Sequence, residues 1–336
     1  MKHRFISRDS GRRLIIIFTG WGMDWRPLQG LRRHGYDIAV VWDYRNCEFD
    51  TTFANGYSEI CVVAWSLGVH AAAMTLGDLR PKVTKMIAVN GTMSPVDDSR
   101  GIPCAIFRGT LEGLDERNLT KFRRRMAGSR EAFECFSSHC PERGLEELRE
   151  ELACFLSREP ASALWDLAII GRNDAIFPPA NQAHAWEGTA TETTGDAHLP
   201  DFQSILDRHI IDKELMAERF LEGRQTYDTA ATVQHEIIDR MLSLVETEGI
   251  ELAGANVLEV GCGTGLLSRH LHSLIGERGK LEMWDMVGDT PLADTRRTFR
   301  RGDAELMAPR LESNAYDMII SASTIQWFHS PGRFLH

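Results

Sequence analysis

A serine at the apex of a strand–turn–helix pattern is the first residue whose position points to chemistry. The apolar run 60–63 leads into Ala-Trp-Ser-Leu-Gly, and small helix-forming residues follow. So sharp a turn strains the backbone at Ser66, and the residues two before and two after it must be small; they are Ala64 and Gly68. The turn exposes the hydroxyl and points backbone N–H groups at a substrate oxygen. An ordinary strand–helix turn would fit the same residues, so the serine needs partners.

Two later loops supply the residue types that activate a serine. Asp174 follows a predicted strand at 164–170, and His198 lies in a polar loop before a predicted helix. A histidine can take the serine proton while an aspartate fixes the imidazole tautomer. Asp196 is an alternative candidate for the aspartate that fixes the imidazole, but it lies only two residues from His198 in the same loop. The sequence therefore predicts acyl transfer, in which Ser66 attacks a carbonyl and water releases the acyl group.

A glycine-rich loop supplies the second half of an oxyanion site. The apolar run 13–18 ends in Thr-Gly-Trp-Gly-Met-Asp. In α/β-hydrolases a loop at this place offers one backbone N–H, and the residue after the nucleophile offers the other. We assign these donors to Trp21 and Leu67; a plain tight turn is the alternative interpretation of the first loop.

The elements that position these residues alternate between strand and helix. Apolar runs at 13–18, 37–43, 60–65, 85–90 and 164–170 predict a mostly parallel sheet with helices on both faces. The chain order Ser, Asp, His is that of an α/β-hydrolase. Residues 109–160 are helical and charged in pattern, which predicts a helical lid inserted between two strands.

The lid carries the densest basic cluster of an acidic chain, formed by Lys121, Arg123, Arg124 and Arg125. A solvated helix face is the simpler interpretation of such a run. The alternative is a docking surface for an acidic partner, which would raise the association rate and fix the register.

The second half contains a different motif. Residues 256–265 read Asn-Val-Leu-Glu-Val-Gly-Cys-Gly-Thr-Gly, a strand and a glycine-rich turn, and a predicted helix follows. A dinucleotide site would read GxGxxG, whereas here Glu259 precedes Gly261, Gly263 and Gly265. The acid suits the cationic and amino groups of S-adenosylmethionine. Asp285 ends the next strand and is placed for ribose hydroxyls, and Asp303 with Ala304 suits the adenine amino group. A glycine-rich turn that binds nothing is the alternative.

Composition excludes several classes. The chain has 336 residues, enough for two domains, and a formal net charge of −10, which disfavours nucleic-acid and membrane-surface binding. Its apolar runs are too short to span a bilayer, and the charged N-terminus lacks the apolar core of a signal peptide. The seven cysteines are scattered without CxxC spacing, so we expect reduced thiols, no metal site and a cytoplasmic protein.

Both halves resemble known families. Ala-Trp-Ser-Leu-Gly, the Phe-Thr-Gly-Trp-Gly-Met-Asp loop and the loops of Asp174 and His198 resemble BioG-type esterases of biotin synthesis. The segment 219–241, the glycine-rich turn and Ile-Gln-Trp-Phe resemble BioC-type methyltransferases. The expected fold is an N-terminal α/β-hydrolase with a lid, residues 1–210, followed by a partial class I S-adenosylmethionine-dependent methyltransferase of Rossmann-like fold, residues 211–336.

The resemblance implies paired activities. The methyltransferase would esterify the free carboxylate of malonyl-acyl carrier protein, and the esterase, which needs no cofactor, would hydrolyse the pimeloyl methyl ester. Both substrates are attached to an acidic carrier protein, and the basic cluster is a candidate binding surface for it. Tyr227 would close over cofactor or substrate. The family's methyltransferase continues beyond a fourth strand, where this sequence stops. An active esterase with a non-catalytic methyltransferase remnant, or a scaffold that binds the carrier, are the alternatives.

Overall fold

The chain divides into two compact units, Met1–Ile210 and Ile211–His336. The computed structural model describes residues 1–9, 11–288, 292 and 295–334. Among these residues, no helix combines the length and the apolar character needed to cross a membrane. Each unit has its own sheet and its own apolar core.

The first unit is built on a sheet of seven strands, counted over the described residues. The strands are β1 (Lys2–Ser7), β2 (Arg13–Phe18), β3 (Asp37–Trp42), β4 (Glu59–Trp65), β5 (Val83–Val89), β6 (Leu167–Gly171) and β7 (Thr191–Thr194). Their order is β1-β3-β2-β4-β5-β6-β7; β1 runs antiparallel to β3, and the other pairs are parallel. Every residue of β4 is buried, as expected of a central parallel strand covered on both faces. The predicted mostly parallel sheet is confirmed.

Four of the helices of this unit form one long insertion between β5 and β6. The helices are α1 (Leu67–Thr75), α2 (Cys104–Glu112), α3 (Glu116–Ala127), α4 (Arg130–Ser137), α5 (Leu145–Leu156), α6 (Pro179–Ala185) and α7 (Phe202–His209). The insertion comprises α2 to α5 and begins before the residue 109 that the sequence predicts. The connections that flank β3 contain only the single 3-10 turns Arg26–Leu28 and Thr52–Ala54. The regular alternation with helices is therefore incomplete.

The second unit has four parallel strands within the described residues: β8 (Asn256–Val260), β9 (Lys280–Asp285), β10 (Arg297–Arg301) and β11 (Met318–Ile320). Their order β10-β9-β8-β11 reverses direction between β8 and β11 and is the first part of a Rossmann-like sheet. Its helices are α8 (Lys213–Ala230), α9 (Thr232–Thr247), α10 (Leu266–Ile275), α11 (Ala304–Met307) and α12 (Pro331–Phe334). The Rossmann-like expectation is confirmed.

Two local predictions in this unit are wrong. The sequence suggests one helix running through residues 209–220, but α7 ends at His209 and α8 begins at Lys213. Asp212 causes the new start, because its carboxylate accepts a hydrogen bond from the Leu215 N–H at 3.0 Å and caps α8. The run 316–328 predicts the fourth strand followed by the start of a helix, but in place of that helix the structure has only a 3-10 turn, Ile325–Trp327.

Candidate active site and cofactor cleft

Ser66 lies between β4 and α1 with φ 60° and ψ −129°, a conformation rarely adopted by residues other than glycine. Its N–H donates to the Val89 carbonyl at 3.0 Å, which fixes the turn against β5. A Cβ atom at Gly68 would lie 2.5 Å from the Thr19 carbonyl oxygen. The chain therefore needs glycine at position 68 to bring the serine and the loop after β2 this close together.

The serine hydroxyl contacts the imidazole of His198, far along the chain. Ser66 Oγ lies 3.0 Å from His198 Nε2, and His198 Nδ1 lies 2.9 Å from Asp174 Oδ2. A carboxylate only accepts, so Nδ1 carries the proton and Nε2 is left to accept from the serine. All three side chains are buried. Their geometry suits proton removal from Ser66 by His198.

The carboxylate of Asp174 is fixed at both oxygens. Its Oδ1 accepts from the N–H groups of Ile176 at 2.7 Å and Phe177 at 2.9 Å. Its Oδ2, besides facing His198, accepts from Gln182 Nε2 at 3.0 Å. Gln182 is buried on α6, and nothing in its sequence context marks it as part of the site. These contacts aim one oxygen at the imidazole.

Asp196, the rival acid, is not in contact with the imidazole. The Asp196 N–H donates to Thr194 Oγ1 at 3.3 Å, and its carbonyl accepts from Asn173. The structure thus places Asp174, rather than Asp196, beside His198.

The backbone of the histidine loop is held by two side chains that the sequence analysis does not identify. Asn90 Nδ2 donates to the carbonyls of Ala197 at 2.9 Å and His198 at 3.0 Å. Trp65, the residue before the nucleophile, donates from Nε1 to the same His198 carbonyl at 2.8 Å. Asn90 directly follows β5 and has φ 46°, and its position before a glycine is the one sequence signal that indicates a special role.

A cavity of about 380 Å³ opens at Ser66 and is lined by Trp21 and Leu67. Among the described residues neither of these two backbone N–H groups donates to a backbone carbonyl. The other lining residues are mostly apolar and come from the insertion and the neighbouring loops: Ile102, Ile106, Phe107, Phe122, Leu152 and Ile176. The side chains around Ser66 thus present a mostly apolar surface to a substrate.

The basic cluster lies on α3, but its four members are not equivalent. Lys121, Arg124 and Arg125 are exposed, whereas Arg123 is half-buried. Arg124 lies over the Phe133 ring at 5.2 Å, and Arg125 lines the cavity that contains Ser66. Arg125 therefore lies at the cavity that contains Ser66, and Lys121 and Arg124 are exposed on the same helix.

In the second unit the glycine-rich turn joins β8 to α10. Gly261, Gly263 and Gly265 all have positive φ, and a Cβ at Gly261 would fall 1.8 Å from Thr324 Oγ1. Glu259, near the end of β8, is buried; burial raises its pKa to about 7, with the Ser268 hydroxyl opposing the shift. The turn thus combines a close backbone approach with a buried acid.

Asp285 ends β9 beside this turn. Its Oδ2 accepts from the Gly263 N–H at 2.7 Å and its Oδ1 from the Val287 N–H at 2.9 Å. Burial raises the pKa of Asp285, and these backbone donors oppose the rise.

A cleft of about 920 Å³ lies above the carboxyl ends of β8 and β9. Its lining includes Gly261, Gly263, Asp285, Asp303, Ala304 and, from α8, Tyr227. Asp303 caps α11 by accepting from the Glu305 N–H at 3.0 Å, and it also pairs with Lys213 Nζ at 2.5 Å. Lys213 is buried, pairs with Glu305 at 2.6 Å as well, and lines the same cleft. No motif in the sequence distinguishes Lys213 from other lysines of a charged helix.

Each unit matches a protein-family model. Residues 1–204 match a family model described as pimeloyl-ACP methyl esterase BioG, and residues 258–336 match one described as a methyltransferase domain. The chain is 39% identical over 337 residues to a malonyl-[acyl-carrier protein] O-methyltransferase of Bacteroides fragilis (strain 638R), covering 95% of this chain and 67% of that protein. A similarly named protein of Bacteroides helcogenes is 34% identical over 149 residues, covering 37% of this chain and 54% of its own length.

A solved structure also resembles the first unit. The crystal structure of BioG from Haemophilus influenzae superposes with a TM-score of 0.55 and 34% identity, over 59% of this chain and 94% of that one. The resemblance extends across nearly the whole of that protein, so the α/β-hydrolase expectation for the first unit is confirmed.

Proposed function

Because this chain belongs to the BioG family of pimeloyl-ACP methyl esterases and carries a methyltransferase domain as well, we propose that it hydrolyses the methyl ester of pimeloyl-acyl carrier protein. The observation that carries this proposal is the continuous contact from Ser66 Oγ through the imidazole of His198 to Asp174. The apolar cavity at the serine supports it, since a pimeloyl chain is apolar between its ends.

In the proposed mechanism His198 Nε2 takes the Ser66 proton while Oγ attacks the ester carbonyl. The N–H groups of Trp21 and Leu67 stabilise the oxyanion that develops. The intermediate collapses to an acyl-serine, and methanol leaves with the proton that His198 returns. Water, deprotonated by the same imidazole, then releases the acid and restores Ser66. Asp174 keeps the imidazole in the required tautomer and stabilises its cation.

For the second unit we propose the reverse modification, methylation of the free carboxylate of malonyl-acyl carrier protein. The described cleft suits S-adenosylmethionine, because its lining combines the glycine-rich turn with the carboxylates of Asp285 and Asp303. When bound, this cofactor supplies an electrophilic methyl group on a sulfonium ion. Glu259 and the glycines 261, 263 and 265 would hold its amino-acid part, Asp285 the ribose hydroxyls, and Asp303 with Ala304 the adenine. Tyr227 would cover it.

The two reactions share a physical purpose. A free carboxylate is costly to bury in an apolar elongation pocket, and methylation removes that charge until the chain is complete. The acyl carrier protein is acidic, so its proposed docking surface is the exposed set Lys121, Arg124 and Arg125 on α3, of which Arg125 lines the esterase cavity. Arg123, half-buried on the same helix, would contribute less.

The test compares wild type with Ser66→Ala on carrier-linked pimeloyl methyl ester and on the free methyl ester. We expect hydrolysis by wild type and a loss of at least about a thousandfold in the variant. A variant that retains the wild-type rate would refute the assignment of Ser66.

Transfer of a labelled methyl group to malonyl-carrier protein, with Asp285→Ala as the inactive control, tests the second unit. Hydrolysis without any methyl transfer would limit the function to an esterase with a cofactor-domain remnant.

Docking is tested on the same substrates. The double variant Lys121→Glu with Arg124→Glu should raise KM for the carrier-linked ester about tenfold or more and leave KM for the free ester unchanged, because neither residue lines the cavity at Ser66. Exposed Arg278, in the second unit, provides the matched control Arg278→Glu. Equal effects on both esters would mean that the two residues affect the cavity and do not bind the carrier.

A further inference from the structure

Helix α5 of the insertion contains a carboxylate that the mechanism above does not use. The side chain of Glu151 is 0% exposed. Its Oε1 accepts from the Tyr44 N–H at 2.7 Å, and its Oε2 accepts from Arg143 Nη1 at 2.7 Å and from the Gly22 N–H at 3.4 Å. A carboxylate at this depth is costly unless its oxygens are satisfied, and these three donors satisfy them.

One of these donors belongs to the oxyanion loop. Gly22 directly follows Trp21, whose N–H is the proposed second oxyanion donor. Fixing the Gly22 N–H constrains the peptide plane next to the one that carries the Trp21 N–H, because consecutive planes share only the two soft torsions of Trp21. The Glu151 carboxylate thus limits the rotation that would turn the oxyanion donor away from the substrate.

Helix α5 also holds the same loop at a second point. The Trp21 indole Nε1 donates to the Leu148 carbonyl at 2.9 Å, and the Trp21 ring packs edge-on against Phe122 with centroids 4.9 Å apart. Leu148 and Glu151 are three residues apart and therefore lie on the same face of the helix. Both the side chain of Trp21 and the backbone after it are attached to this face.

Arg143 provides the charge balance. Its side chain is 3% exposed, and it faces Asp43 at 3.4 Å as well as Glu151. Asp43 is further paired with Arg45 at 2.7 Å, at the end of β3. The carboxylate of Glu151 is therefore linked through Arg143 to Asp43 at the end of β3, and this link restrains its movement.

We propose that Glu151 is a positioning residue for the oxyanion hole, which holds the Trp21 N–H toward the substrate through the neighbouring Gly22 N–H. The inference rests on the proposed function only in requiring ester hydrolysis at Ser66. Replacing the carboxylate with an amide leaves one acceptor oxygen for two backbone donors. The loss should therefore appear in the transition state, where the oxyanion forms, and not in substrate binding.

The experiment uses the full chain and p-nitrophenyl butyrate, a simple ester that needs no carrier. Active-site titration with a fluorophosphonate counts competent sites, so that kcat refers only to folded enzyme. For Glu151→Gln we expect kcat per site to fall about tenfold or more, KM to stay within about twofold, and affinity for a boronic acid, a tetrahedral mimic, to fall by the same factor as kcat. Glu151→Asp keeps the charge but shortens the reach and should behave similarly.

The matched control is Glu146→Gln on the same helix, at an exposed residue whose carboxylate lies 3.8 Å from Arg149. It should leave kcat unchanged. If neither Glu151 variant folds, Trp21→Phe removes the indole bond to Leu148, and the same fall in kcat at constant KM is expected. An unchanged kcat per titrated site in any folded variant of these positions would overturn the proposal. Because the wild type must first hydrolyse the simple ester, failure on the carrier-linked substrate would refute the proposed substrate without affecting this test.

Discussion

Trp65 and His198 are joined twice. The indole Nε1 donates to the His198 carbonyl at 2.8 Å, and the two rings lie with centroids 5.4 Å apart. The residue that precedes the nucleophile therefore holds the backbone of the general base. The distance between Ser66 and His198 is set not only by the sheet but also by this side chain.

Replacing Trp65 with Phe should lower both the stability of the protein and the rate of catalysis. The variant loses the hydrogen bond to the His198 carbonyl and part of the packing, so we expect about 1–3 kcal/mol less stability and a kcat lower by about tenfold. Trp165→Phe is the control, since the buried Trp165 Nε1 has no hydrogen-bond partner among the described residues. It should cost stability but not kcat per active site. Chemical denaturation measures the stability of each variant, and steady-state kinetics with titrated active sites measure kcat. An equal fall in kcat for Trp65→Phe and Trp165→Phe would contradict the role assigned to Trp65.

Gly68→Ala should damage the elbow. The added methyl would lie 2.5 Å from the Thr19 carbonyl and 2.6 Å from the Phe18 carbonyl, so backbone must move. We expect a loss of about 1–3 kcal/mol in unfolding free energy and a large drop in kcat. Gly109→Ala, inside α2 with nothing within 4 Å of the new methyl, should instead stabilise the protein by about 0.5–1 kcal/mol. Tolerance of Gly68→Ala at full activity would show that the serine turn is not tightly packed.

Lys213→Met should destabilise the second unit. The lysine is 1% exposed and pairs with both Asp303 and Glu305, so its removal leaves two partly or fully buried carboxylates without their cation. Breaking such a buried pair costs about 3–5 kcal/mol. Hydrogen exchange of the β8 amides reports on this unit alone and should accelerate. Exposed Lys280, replaced in the same way, should change nothing; equal exchange rates in both variants would contradict the prediction.

The stability of the second unit should depend on pH through Glu259. Its pKa rises from 4.5 to about 7 on folding because of burial. A raised acid pKa means that folding favours the protonated form, so stability is highest below pH 4.5 and is lost as the pH rises to 7. Glu259→Gln removes this loss. The difference in unfolding free energy between this variant and wild type should grow from near zero in acid to about 3 kcal/mol above neutral pH.

Hydrogen exchange of β8 as a function of pH measures this difference, with Glu277→Gln, an exposed residue, as the control. Parallel profiles for wild type and Glu259→Gln would contradict the buried, neutral carboxyl. Isothermal titration with S-adenosylmethionine should show weaker binding by the same variant, because the acid is the proposed partner of the cofactor's amino-acid part.

The sequence predicts best those features that depend on neighbouring residues. The turn at Ser66 and the glycines 261, 263 and 265 are visible because strand, turn and helix follow one another directly. The parallel sheets follow from the same alternation. The membership of both units in their families, inferred from these short motifs, is confirmed by the comparisons.

The remaining features depend on contacts between distant residues. Gln182, Asn90 and Glu151 lie on different elements, and each acts through a hydrogen bond that only the folded sheet creates. The sequence does not indicate strand β1, because β1 is an antiparallel edge strand of alternating, partly charged residues, without the apolar run of a central strand. The break between α7 and α8 was missed because a single capping residue, Asp212, ends an otherwise helical pattern.

The origin of the cleft lining has a practical consequence for dividing the chain. The methyltransferase match begins at residue 258, yet α8 brings Lys213, Phe220 and Tyr227 to the cleft from much earlier positions. A recombinant piece cut at the match boundary would lose the first two residues of β8 and one wall of the pocket. A truncated protein that is meant to contain the second unit should therefore begin no later than Ile211. A shorter one could be inactive only because α8 is missing, and the domain would then be wrongly judged non-catalytic.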